Sequence, residues 1–332
     1  MIARWTAALA ALGLLASCGK PPEQSPQGPQ TLNFSILSAE NQQSMSKYWQ
    51  PLLDDLSKQT GLTVKPFYTS NYASQIEAMR FGKVQLGWFS ALPALEAVRR
   101  ADGQVLSRVI DSGGANSYES VLIVRNDSGL TLDDVMKCDK RLTFGIGDAK
   151  STSGTLAPMA YLFIPRGVEP AECFKTVRSA NHQTNVFSVA NGVLDVATNN
   201  SVGLAFAARE NPRIARRLKV IWRSPPLPES SIVVRKDLDP VAKEKLRQFF
   251  LTYGTAPGAA GDRQRQVLKG LMYGGFRAAD DGYLDPIREM EAAQHLSDAK
   301  RSGQAARIAA AQKAFDDIRA KAAERRAANP DI

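Results

Sequence analysis

Residues 141–163 read Arg141-Leu142-Thr143-Phe144-Gly145-Ile146-Gly147-Asp148-Ala149-Lys150-Ser151-Thr152-Ser153-Gly154-Thr155-Leu156-Ala157-Pro158-Met159-Ala160-Tyr161-Leu162-Phe163. The first six form a short apolar strand, Gly147 to Lys150 a turn, and Thr155 to Phe163 the opening of an apolar helix. A strand that turns directly into a helix is the repeating unit of a parallel α/β sheet. Three consecutive hydroxyls stand at the helix start, where backbone N–H groups lack partners and the helix dipole is positive. One Ser or Thr suffices as an N-cap. Three followed by Gly leave two readings open, a cap or a cradle for a phosphate-like anion.

Outward from this stretch the same alternation recurs. Thr31 to Leu37 reads as a strand, and Tyr48, Leu52, Leu53 and Leu56 follow at helical spacing up to Thr60-Gly61. Leu62 to Tyr68 is a second strand, with a helix from about Tyr72 to Phe81; Val84 to Phe89 is a third, leading into a helix from Pro93 to Ala101. A second run of this kind begins near Ser120 and continues to about Val220. This predicts a mostly parallel sheet covered on both faces. The length exceeds what one core comfortably supports, so two α/β lobes are expected. Residues 293–328 are rich in Ala, Arg, Lys and Gln and read as one long helix. On it Ile308, Ala311, Phe315, Ile318 and Ala322 fall three and four apart, a seam that serves either packing on its own domain or a homodimer contact.

The ends and the cysteines locate the chain. Arg4 and the apolar Ala7 to Ala16 form a signal-peptide pattern too short for a permanent span of ~20 residues. Leu15-Ala16-Ser17-Cys18 resembles a bacterial lipobox, which makes residues 1–17 a lipoprotein signal peptide and Cys18 a lipidated N-terminus. Residues 18–30, rich in Pro, Gln, Ser and Gly, read as a flexible tether. Cys138 and Cys173 remain in an oxidising compartment, either bridged or buried as free thiols. With three cysteines and two histidines in all, no metal cluster is expected. The net charge of +9 is scattered, without a basic stripe interleaved with aromatics, so no nucleic-acid partner is expected.

A second informative segment starts at Asn181-His182-Gln183-Thr184-Asn185 and returns through Gly192 to Asp195-Val196-Ala197-Thr198-Asn199-Asn200. It places His182 at another helix start in the same lobe as Ser151, Thr152 and Ser153. Ligands in open α/β sheets gather beyond the carboxyl ends of strands, so these residues would converge on one anion.

With Gly147-Asp148, Ser151-Thr152-Ser153-Gly154, His182-Gln183-Thr184-Asn185, Val189-Ala190-Asn191 and Asp195 to Asn200 in order, the chain resembles the solute-binding proteins of phosphonate, phosphite and phosphate ABC importers. The resemblance runs from about Leu32 to past Phe276. It implies an α/β, two-lobed type II periplasmic-binding-protein fold closing on a hinge cleft, with residues 31–117 and 225–292 in one lobe and 118–224 in the other. It also implies no cofactor, capture without catalysis, and an ABC permease and ATPase as partners. Ser151, Thr152, Ser153 and His182 would hold the phosphorus oxygens, with His182 adding charge if protonated, while Tyr72 and Tyr118 approach from the other lobe and the hinge. Where related proteins that take aminoalkyl phosphonates carry carboxylates, this chain has Val202 and Ser230. An ammonium would then lack counter-charges, and 2-aminoethylphosphonate should bind worse than small phosphonates, phosphite or phosphate. Glu119, after Tyr118, either supplies a new carboxylate or faces solvent; Glu229 lies near enough to Ser230 for a small alignment shift to bring a carboxylate to that place. Two rivals stand beside this reading. A serine hydrolase lacks the Gly-x-Ser-x-Gly spacing, and a lipoprotein sensor would work without a permease.

Overall fold

The structure, a computed structural model, describes residues 31–37 and 42–328. The expected signal peptide 1–17, the lipidation site Cys18 and the tether 18–30 lie outside the described residues. The chain opens with β1 (Thr31–Leu37), β2 (Thr63–Thr69), β3 (Leu86–Phe89) and β4 (Gly103–Asp111). It crosses in β5 (Ser117–Tyr118) and builds a second sheet from β6 (Ser120–Arg125), β7 (Thr143–Ile146), β8 (Thr176–Ser179), β9 (Val196–Asn200) and β10 (Leu218–Arg223). It then returns through β11 (Leu227–Pro228) to β12 (Ser231–Arg235) and β13 (Tyr273–Ala278). The sheet orders are β13-β4-β12-β3-β1-β2 and β10-β6-β9-β7-β8. The two connections pair as an antiparallel ribbon, Leu227 opposite Tyr118 and Pro228 opposite Ser117.

The sheets are mixed rather than mostly parallel, and the crossings are the reason. Strands joined by helices run parallel: β1 with β2 and β3, β7 with β8 and β9. The strand entering from the other lobe runs against its neighbours. Thus β6 is antiparallel to β9 and β10, and β12 to β3 and β4. A strand delivered by a short connector has no crossover helix to force it parallel.

In the first lobe Leu32, Phe34 and Ile36 of β1 pack on Trp49, Leu52, Leu53 and Leu56, the apolar stripe of helix Gln42–Thr60. Full burial of each such side chain contributes about 1.5–3 kcal/mol. In the second lobe Phe144 stacks on Phe174 at 4.4 Å and meets Phe163 edge-on at 5.5 Å. A further apolar cluster is shared: Leu156 and Ala157 sit among Ile76, Leu92, Leu95 and Ile287. Cys138 and Cys173 are joined by a disulfide 35 residues apart in sequence, a closure that contributes roughly 4 kcal/mol in the chain-entropy picture.

A long C-terminal helix is present, Ala305–Ala328 with 24 residues, but the unbroken helix expected over 293–328 is divided. Helix Asp285–Ser302 ends at Gly303, whose φ of +67° favours glycine, and the chain reverses there. Arg325 clamps Asp285 through Nε at 2.7 Å and Nη2 at 2.8 Å, and Arg326 meets Glu289 at 2.9 Å. The two helices therefore run antiparallel. Ala322 is fully buried within the chain, and Ile308, Ala311, Phe315 and Ile318 are half-buried. The seam thus packs on its own chain at Ala322 and leaves its other four residues partly exposed.

Candidate functional site

Five strand-to-helix junctions, from both sheets, meet at the cleft. Asn71 caps helix Tyr72–Arg80, Ser90 precedes helix Ala91–Arg100, Ser151 caps the helical run 152–166, Asn181 caps helix His182–Ala190, and Asn200 caps helix Ser201–Glu210. Five positive dipole ends therefore face one region. Residues from each junction surround it: Tyr72, Ser90, Ser153, His182, Asn200 and Val202 line one cavity. Among the described lining residues none is Lys or Arg, so the positive potential there comes from peptide groups rather than formal charge.

The Ser151 turn is built by close backbone approach. The Gly147 N–H donates to the Gly154 carbonyl at 2.9 Å. A Cβ on Gly154 would lie 2.8 Å from Gly147 Cα, and one on Gly147 2.6 Å from Gly154 Cα. Any larger residue at either position would push the helix start away from β7. Thr198 Oγ1 donates to the Gly154 carbonyl at 2.8 Å and Ser120 Oγ to the Ser153 carbonyl at 2.6 Å. The helix opens wide, with Leu156 N–H reaching back five residues to the Ser151 carbonyl. Such turns recur at functional sites.

The three hydroxyls divide their work, and only Ser151 serves as the cap. Ser151 Oγ accepts from Gly154 N–H at 3.0 Å, the capping bond, and receives the Tyr72 hydroxyl at 3.4 Å. Thr152 Oγ1 accepts from Leu92 N–H of the opposite lobe at 2.8 Å. Ser153 bonds the Tyr118 side chain at the hinge ribbon, where burial holds the phenol well above its ordinary pKa. The structure thus brings Tyr72, Tyr118, Ser151, Thr152 and Ser153 together. It adds Ser90, whose buried Oγ has no partner and which the sequence reading missed. Its signal was available: a hydroxyl between an apolar strand and an apolar helix, as at Ser151.

His182 is the first residue of its helix, with its backbone carbonyl held by Asn199 Nδ2 at 2.9 Å. Its charge differs from the expectation. Burial lowers its pKa to about 4, so the imidazole is neutral near pH 7 and offers a hydrogen bond rather than a positive charge. Nδ1 is buried without a partner.

The remainder of the cavity is aromatic. Tyr48, Trp49, Trp88, Phe206 and Tyr273 line it, none of them singled out for the site from sequence. Tyr48 meets Phe206 edge-on at 6.0 Å, and the Arg209 guanidinium covers both rings at 4.2 and 4.5 Å. Val202 and Ser230 face the cavity, whereas Glu119 does not line it: it pairs with Arg223 at 2.7 Å at the half-exposed surface. Beside Ser230, Glu229 brings a carboxyl group into the cavity lining. This residue is 5% exposed. It accepts from Ser230 N–H at 3.1 Å, and burial, with Asp111 adding to it, raises its pKa to about 7. Among the described residues no cluster of His, Cys, Asp and Glu would hold a metal.

Comparison with known proteins identifies the family. Residues 34–284 match the family model described as "ABC transporter, phosphonate, periplasmic substrate-binding protein". The phosphonates-binding periplasmic protein of Escherichia coli is 41% identical over 270 residues, covering 81% of this chain and 78% of that one. The phosphate-import protein of Mycolicibacterium smegmatis is 29% identical over 264 residues, 73% and 79% of the two chains. A crystal structure of a binding protein component of an ABC phosphonate transporter from Pseudomonas aeruginosa superposes with a TM-score of 0.84 at 38% identity, covering 90% of this chain and 99% of that one.

Proposed function

Because the chain belongs to the periplasmic substrate-binding proteins of phosphonate ABC transporters, we propose that its cleft captures a phosphonate-type phosphorus oxyanion through the Ser151-Thr152-Ser153 turn and hands it to a membrane permease. Proteins of this family bind and release without making bonds, and a periplasmic location goes with the family. The observation that carries the reading is the meeting of five helix N-termini with buried hydroxyls from both lobes. Ser151, Thr152, Ser153, Ser90 and the Tyr72 and Tyr118 phenols donate to the anion, and neutral His182 donates one further bond. Each charge-assisted bond contributes roughly 1.5–3 kcal/mol.

Lobe closure excludes water, and the closed form is what the permease reads. Among the described residues no helix is long and apolar enough to cross a membrane. Attachment through lipidated Cys18 is the anchoring we propose, and a globomycin-sensitive mass shift on expression would test it. Phosphate or phosphite is the second reading, favoured by the phosphate-import relative and by a polar end that recognises oxygens alone.

Calorimetry with methylphosphonate, phosphite and phosphate on the wild type, Thr152→Ala and Ser153→Ala decides the matter. At least one of the three anions should bind, with a tenfold or greater loss in both variants and unchanged circular dichroism. Affinity unchanged in both variants would remove the turn from the site.

A further inference from the structure

The anion turn needs a partner outside its own helix to keep its shape, and that partner stands where the hinge enters the second lobe. We propose that Ser120, which is not among the residues lining the cleft cavity, is a positioning residue for the oxyanion: its hydroxyl fixes the Ser153 peptide in the orientation that binds. The inference rests on the reading of Ser151-Thr152-Ser153 as the oxyanion site.

The helix itself leaves the Ser153 carbonyl without a donor. Of the three hydroxyl residues, Ser153 is the one that lines the cavity with His182 and Asn200. Leu156 and Ala157 N–H reach back five residues, to the Ser151 and Thr152 carbonyls. The next donor at that spacing is Pro158, which has no N–H. Ser120 Oγ supplies the missing bond at 2.6 Å, with Ser120 fully buried and Ser153 2% exposed. Without that hydroxyl the carbonyl becomes a buried acceptor that water does not reach, and the peptide must turn to find a donor. A carbonyl oxygen turned toward the cleft would meet the anion with negative charge where the helix start otherwise presents N–H groups.

One hinge strand holds Ser153 at two atoms. In extended chain, residues two apart share a face, and Tyr118 and Ser120 do so here. The Tyr118 hydroxyl bonds the Ser153 side chain and Ser120 bonds its carbonyl, while Glu119 between them pairs with Arg223. Ser120 is in turn tied to the second connection. Its N–H donates to Ser224 Oγ at 3.0 Å, the Ser224 N–H donates to the Ser120 carbonyl at 2.9 Å, and Ser224 Oγ donates to the Pro225 carbonyl at 2.7 Å. Both chains that join the lobes therefore meet at one buried point, and Ser120 is the residue of that point whose side chain reaches the anion turn. The geometry of the hinge is passed to the cradle through this hydroxyl.

The test is calorimetry with methylphosphonate, phosphite and phosphate on the wild type, Ser120→Ala, Ser120→Thr, Thr152→Ala and Ser153→Ala, at a temperature where the circular dichroism of all five matches. The carbonyl 13C resonance of Ser153 is recorded beside it on the ligand-free proteins. For whichever anion the wild type binds, Ser120→Ala should lose about tenfold or more in affinity, and Ser120→Thr, which keeps the hydroxyl, should stay within about threefold. The Ser153 resonance should move upfield in Ser120→Ala and return in Ser120→Thr, a signature that a merely structural role for Ser120 would not produce. Affinity within about threefold of the wild type in Ser120→Ala, while Ser153→Ala loses tenfold, overturns the inference and leaves the oxyanion site standing. A Ser153 resonance unmoved by Ser120→Ala, or an equal loss of affinity in Ser120→Ala and Ser120→Thr, does the same. Full affinity in Thr152→Ala and Ser153→Ala alike, or no binding of any of the three anions, overturns the oxyanion reading itself.

Discussion

His182 and Glu229 line the same cavity, and burial moves them in opposite directions, the imidazole down from 6.5 to about 4 and the carboxyl up from 4.5 to about 7. The unfolded chain protonates its imidazole below about 6.5 while the folded one resists until about 4. His182 therefore withdraws stability as pH falls through that window. The folded chain keeps the Glu229 proton up to about 7, and the unfolded one releases it above about 4.5. Glu229 therefore withdraws stability as pH rises from 4.5 to 7. Each effect is on the order of 3 kcal/mol at full extent, and between about 4.5 and 6.5 they oppose. Glu229→Gln should leave His182 unopposed, so its melting temperature should climb more steeply than the wild type's from pH 4 to 6.5. Parallel melting curves across that range would refute the assignment. Neither charge state was legible in the sequence, because protonation depends on desolvation by residues distant along the chain.

At the scale of elements, the C-terminal hairpin is held at its open end by Arg325 on Asp285, a carboxylate 2% exposed. Arg288 also reaches Asp285 at 2.6 Å, so removing Arg325 leaves that charge partly compensated. Arg325→Ala should cost roughly 1–2 kcal/mol, between an exposed and a buried pair. Hydrogen exchange should quicken in Ala305–Ala328 while β1 and β9 stay protected; unchanged exchange in that helix would show the clamp to be idle. The break at Gly303 was legible as a helix C-cap, since Lys300 and Arg301 precede it. The alanine-rich composition on both sides masked it. The π-type opening at Ser151 had one local signal, Pro158, which has no N–H for the Gly154 carbonyl; Gly147 and Thr198 take up that carbonyl instead.

At the scale of the molecule, contacts between lobes hold the cleft closed at two ends. Near the polar end Leu92 bonds Thr152, Tyr72 bonds Ser151 and Lys150 meets Glu96 at 3.4 Å. Near the aromatic end Tyr48 bonds Glu210, and Arg209 both covers Tyr48 and donates to the Gly270 carbonyl at 2.9 Å. Behind the cleft, helix Asp285–Ser302 reaches both lobes, through Arg99 on Glu291 at 2.6 Å and through Arg301 on Glu169. Between the lobes Arg209→Ala removes the cation–π contact with Tyr48 and the hydrogen bond to Gly270, about 1–2 kcal/mol together. In stopped-flow release of a bound phosphonate the dissociation rate should rise about tenfold, with a smaller change in association. An unchanged dissociation rate would mean that these contacts do not hold the closed form. By itself the sequence determined the strands, most helices, the two α/β lobes and the hydroxyl turn, because each is written in a local period, a glycine or a helix start. Tertiary structure alone decided the antiparallel crossing strands, the entry of Ser90 and the aromatic rings into the site, the neutral state of His182 and the choice of Glu229 over Glu119. Those depend on which distant segments a side chain meets and how much water they remove, and neither property is carried by a residue's neighbours in the chain.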